Sequence, residues 1–262
     1  MSDQKAARLA AIRAANAAKQ GVLPAAVHAP VSVSPDESDL PPAMSLASLF
    51  GLLATVLVGV FAAVVVLPTW LPGLSASLLG SEPKAYWYLA RSSAWVAYGL
   101  LWISMVFGLL MTNKLAQAWP GGPTAFDLHQ HTSLLGLGFA LFHGLILLGD
   151  RYITASLTQI MLPFAYPGGA PIAVGLGQTA LYGLALVGLS FYVKAQLGRA
   201  LWRALHLLSF VVFLLALLHG IISGTDSAAR SAQMVYWLSG ASVLFLTIYR
   251  VLRARYVAVA PR

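Results

Sequence analysis

Six runs of about 20 apolar residues, set apart by short segments of proline, glycine and charge, govern what this chain can fold into. At 1.5 Å per residue, each run is long enough as a helix to cross a hydrocarbon core of ~30 Å. Composition agrees: 59% of the 262 residues are hydrophobic and 9% are charged, against about 25% charged in soluble domains. The sequence therefore predicts an all-α integral membrane protein, a six-helix transmembrane bundle with helices near 44–67, 89–112, 127–149, 172–193, 200–222 and 234–253. Pro68 and Pro72, Pro120 to Pro123, and Pro163, Pro167 and Pro171 punctuate the gaps. Thr124 to Asp127 reads as a capping box opening the third helix, with Asp127 favoured by the helix dipole. The chain carries no internal repeat of the kind that marks transporters.

Charge predicts the orientation. With the N-terminus in the cytoplasm, twelve basic residues fall on cytoplasmic segments, among them Lys5, Lys114, Lys194, Arg199, Arg203, Arg250 and Arg253. Four fall outside: Lys84, Arg91, Arg151 and Arg230. This positive-inside bias places a multi-pass protein in the cell membrane with both termini cytoplasmic. The net charge of +8 then reads as an orientation signal and an attraction to anionic lipid, with no nucleic-acid motif to suggest another partner. Residues 1–43 read as a cytoplasmic polar arm, a short Ala/Lys/Arg-rich helix followed by a proline-rich extended connection. The arm does not read as a signal peptide, because the first apolar run begins too far along. The membrane domain spans 44–255, and 256–262 form a cytoplasmic tail.

The chemistry lies in the histidines. Four of six sit inside apolar runs, where ionisable groups are costly and mark function: His129 and His143 on the third helix, His206 and His219 on the fifth. His129 and His143 are 14 residues apart, about 40° short of four turns and ~21 Å along the axis, so both rings face one way at opposite membrane depths. His206 and His219 are 13 apart, or ~19.5 Å. The third and fifth helices run in the same direction, so depth matches His129 with His206 near the cytoplasm and His143 with His219 near the outside. Facing imidazoles can take the two axial positions of a haem iron. Cysteine is absent, which removes thiolate zinc sites, iron-sulfur clusters and covalently attached haem, and no carboxylate sits at mid-helix to complete a zinc site. Haem b, two per chain between helices 3 and 5, is the expected cofactor. Thirteen residues leave His219 about 140° from the face of His206, which calls for a fifth helix that is locally overwound or tilted. His131 is ~120° off the face of His143 and is secondary, and His28 lies in the polar arm.

These stretches resemble a family. Asp127-Leu128-His129 through Phe142-His143-Gly144, Trp202 to His206 through Leu218-His219-Gly220, and Ala90-Arg91 are similar to the ferric reductase-like transmembrane domain of ferric reductases and NADPH oxidases, over about residues 86–253. The resemblance implies two b haems between the third and fifth helices, ligand spacings of 14 and 13, and a second-helix arginine near the haems, here Arg91. Those enzymes add a cytoplasmic FAD and NAD(P)H module. Nine residues follow Arg253 here, and no Gly-x-Gly-x-x-Gly follows a strand. Arg91, Arg151, Arg199 and Arg203, at helix ends, are candidates to neutralise haem propionates.

Two functions follow. One is a ferric reductase-like membrane redox subunit that takes electrons from a separate donor, a flavoprotein or a quinol, and passes them to an outer acceptor such as ferric iron, oxygen or a partner protein. The other is a structural or accessory haem-binding subunit of a larger membrane complex, with the arm as a tether to other subunits.

Overall fold

A computed structural model describes residues 41–70, 85–150, 153–167 and 171–259. Among them are six helices long and apolar enough to cross a membrane, with mean hydropathies of 1.5 to 2.8. Lipid offers a backbone N–H or C=O no hydrogen bond, so runs of this length close their bonds internally as helices. The first, α1, is Leu46–Phe61, extended by a π-helical turn at Ala62–Val66 and a last turn at Leu67–Trp70. It is followed by α2 (Ala85–Thr112), α3 (Gly122–Ile146), α4 (Pro171–Ser190), α5 (Arg199–Ser223) and α6 (Arg230–Val259). The chain is thus a multi-span all-α membrane protein. Its lipid-facing character shows in how little of each apolar window is buried in the protein, 11% for α1, α5 and α6 and 33% for the others.

Helix ends differ from the sequence reading in ways that proline and charge explain. The third helix opens at Gly122, not 127, with Gly121 as N-cap and Pro123 in the first turn, so the expected capping box does not form and Asp127 lies exposed inside the helix. Proline presets φ and lacks only an N–H that the first turn leaves unpaired in any case, which moves the start upstream. The sixth helix runs six residues past 253, because arginines that end the apolar pattern are still good helix formers. Of the arm over 1–43, all but the last three residues lie outside the described residues.

The bundle is built from two close antiparallel pairs. The longest helix–helix contacts join α2 to α3 and α4 to α5, whereas α3 and α5 make no such backbone contact with each other. At Gly136 the two helices pass close, so that a Cβ there would be in ordinary van der Waals contact with Ala97 O and Leu101 N of α2 at 3.7 Å. A buried cluster of Tyr98, Leu101, Leu137, Leu184, Phe213 and Val243 joins five helices at mid-depth. Polar ties anchor α6 to α2: Tyr98 Oη lies 2.5 Å from Ser239 Oγ, Trp102 Nε1 donates to Ser242 Oγ at 2.9 Å, and Asn113 Nδ2 donates to Leu246 O at 3.1 Å. Such bonds contribute about 0.6 kcal/mol each in a membrane, so helix packing carries most of the stability.

Candidate functional site: two facing histidine pairs

The space between α3 and α5 is bridged by histidines. The rings of His129 and His206 stand with centroids 5.9 Å apart at an interplanar angle of 70°, and those of His143 and His219 6.2 Å apart at 64°. Four residues far apart in sequence thus form two pairs at opposite ends of the bundle.

Neighbouring helices fix the ring orientations. His129 Nδ1 donates to Ser104 O at 2.9 Å and His143 Nδ1 to Ala90 O at 2.8 Å, both on α2. The acceptors are 14 residues apart, as are the donors, so one antiparallel register of α2 against α3 serves both. On the other side His219 Nδ1 donates to Ala173 O of α4 at 2.7 Å. A carbonyl oxygen only accepts, so in these three rings the proton sits on Nδ1 and the Nε2 lone pair is left for a ligand. Metal-binding histidines are held in this manner, with the second ring nitrogen donating to a backbone carbonyl. His206 is set differently, its ring stacked on Trp202 one turn earlier at 5.3 Å and 28°.

The 13-residue spacing is not met by a break in the helix. Between Arg199 and Ser223 no 3₁₀ or π turn interrupts α5. His219 bonds to α4, while His206 stacks on Trp202 of its own helix. His131 is exposed, and its Nδ1 donates to Asp127 O of its own helix at 2.8 Å, pointing to neither pair.

Distance tests whether a pair could hold one iron. Metal–imidazole bonds of about 2.0 Å, with ring centres about 1.1 Å behind the nitrogens, would put two rings on opposite sides of one metal about 6.2 Å apart. The observed 5.9 and 6.2 Å meet that requirement. Among the described residues no group of three or more His, Cys, Asp or Glu could hold a metal ion. Beside the outer pair opens a mostly apolar cavity of about 470 Å³, lined by both imidazoles, Trp87, Arg91, Tyr236 and Asp226. This size is within the range of cofactor pockets. Two glycines make room for the rings: a Cβ on Gly108 of α2 would lie 3.2 Å from His129 Cε1, and one on Gly177 of α4 would lie 2.8 Å from three atoms of His219.

Arg91 lines the outer cavity but forms an ion pair with Asp226, in the turn between α5 and α6, so its charge is met by a protein carboxylate. Sequence reasoning missed Asp226; its signal was the lone acid in the Gly224 to Ala229 turn. Arg199 and Arg203 lie exposed on the first turns of α5, while Arg250 of α6 acts electrostatically on His206. Arg151 lies outside the described residues. Comparison of the chain with models of known protein families, with curated proteins and with solved structures finds no match.

Proposed function

We propose that this chain carries electrons across the membrane as the redox subunit of a larger assembly, through two b haems held by His129 with His206 and by His143 with His219. The observation that carries this reading is the pairing itself: two sets of facing imidazoles at one-iron spacing, three of the four rings locked with Nε2 free. The motifs that resemble ferric reductase-like membrane domains point the same way. Haem held by His129 with His206 and by His143 with His219 would supply one-electron transfer.

The protein's own part is to hold, orient and insulate. Ser104, Ala90 and Ala173 fix the ring planes, Trp202 covers one face of His206, and mostly apolar surface lines the cavity beside the His143–His219 pair. In this reading electrons enter from a flavoprotein or quinol on the His129–His206 side and leave to an acceptor on the other.

Vesicles test this directly. In liposomes loaded with reductant, the purified protein should reduce external ferricyanide, and His143→Ala should abolish that transfer. No transfer through protein that holds both haems would overturn the electron-transfer reading in favour of a structural role. NADH or NADPH added alone should reduce neither haem.

The positive-inside bias further places the segment between α3 and α4 outside and the one between α4 and α5 in the cytoplasm. The natural chain has no cysteine, so single reporters are clean. In sealed cells Ser156→Cys should react with an impermeant thiol reagent and Ala195→Cys should not. The reverse pattern would invert the topology.

A further inference from the structure

Residues 153–167, which join α3 to α4, cover the outer histidine pair. Ile153, Ala155, Gln159, Ile160, Met161 and Tyr166 all line the cavity that holds His143 and His219. The segment is built as a unit. Its short helix, Leu157–Met161, is closed by a reciprocal capping box between Ser156 and Gln159. Thr154 and Phe164, at either end, take left-handed backbone with φ of 47° and 64°. Such conformations are uncommon for side chains of this bulk and persist where surrounding structure dictates them.

Helix α4 supplies what dictates them. Buried Gln178 uses its whole amide on this segment: Nε2 donates to Gln159 O and Ile160 O, each at 2.7 Å, and Oε1 accepts from Phe164 N at 3.1 Å. One turn away, Gly175 receives the Phe164 ring so closely that a Cβ would fall 2.1 Å from Cδ1. On the opposite side Ile160 rests against Gly144, the neighbour of His143. The stretch of α4 that carries Gly175 and Gln178 also carries Ala173 and Gly177, the two residues that hold His219.

We infer that Gln178 is a positioning residue: it pins segment 153–167 as a roof over the outer pair, and the roof keeps the cavity around His143 and His219 apolar. The effect on the roof is independent of any cofactor. The effect on the outer haem rests on the proposed function.

Gln178→Leu keeps the side-chain bulk and removes three hydrogen bonds. Hydrogen–deuterium exchange of the full-length protein in detergent should then be about tenfold faster or more in peptides from 153–167, with α3 and α6 unchanged. Exchange unchanged in that segment would overturn the assignment. Should the variant fail to fold, Gln178→Asn decides the matter, because it keeps an amide but draws it back by one methylene from Gln159 O, Ile160 O and Phe164 N: faster exchange in 153–167 supports the role of Gln178, and unchanged exchange overturns it. The second readout is redox titration. Water entering the cavity stabilises the charged ferric form, so the outer haem's potential should fall in Gln178→Leu and the inner one's should hold. Faster exchange with both potentials unmoved would overturn the role toward the outer pair. A wild-type protein without haem would defeat the proposed function, while the exchange result would still decide on the roof.

Discussion

Extraction of the purified protein into alkaline pyridine should yield close to two haems b per chain, and His219→Ala should release about half of them. The two pairs are ~21 Å apart along α3, and each draws on its own carbonyl acceptors, so one pair can empty without the other. His143→Ala should have the same effect as His219→Ala, since each removes one of two axial donors at one site. His129→Ala should empty the inner site alone. His131→Ala should leave both occupied, because that ring is exposed and bonded to its own helix. A wild-type yield near zero would remove the central claim. Loss of the inner haem on changing His131 would show that the inner ligand is misassigned.

What the sequence displayed of this architecture is what depends on one helix at a time. Six spans follow from apolar length, and the facing of His129 and His143 follows from their spacing on one regular helix. Everything that required knowing the neighbour stayed hidden. Nothing about Ala90, Ser104 or Ala173 as residues marks them as acceptors, because the backbone carbonyl is the same in every residue; only the register of α2 and α4 brings those oxygens to the imidazoles. Arg91 showed as a cation in an apolar run, but its partner Asp226 lies 135 residues on, in a turn with no pattern of its own. The start of α3 was obscured by two competing signals, a capping box over Thr124 to Asp127 and Pro123 just before it, and the proline's backbone preference won. The roof over the outer pair showed as irregular sequence with two prolines, Pro163 and Pro167, and Gln178 as one more polar residue in a membrane helix.

Gly177→Ala should cost the outer haem, whereas the like change at Gly108 should spare the inner one. Both glycines face an imidazole, so the same added methyl group is placed against the same chemistry, and the distances separate the outcomes. At Gly177 the new Cβ would sit 2.8 Å from Cγ, Nδ1 and Cε1 of His219, inside the contact limit for all three atoms. That ring cannot swing clear without breaking its 2.7 Å bond to Ala173 O, on the very helix that carries the methyl group. At Gly108 the nearest atom, His129 Cε1, is 3.2 Å away and Nδ1 is at 3.4 Å, a strain that a shift of a few tenths of an ångström relieves. Overpacking of a rigid site costs about 1 to 3 kcal/mol, and at His219 that penalty falls on the ligand itself. Haem content should therefore drop to about one per chain in Gly177→Ala, with the remaining absorption that of the inner site. In Gly108→Ala it should stay near two with a small spectral shift. Two haems retained with unchanged spectra in Gly177→Ala would show that His219 is not held where its ring now stands, and would remove it as an axial ligand.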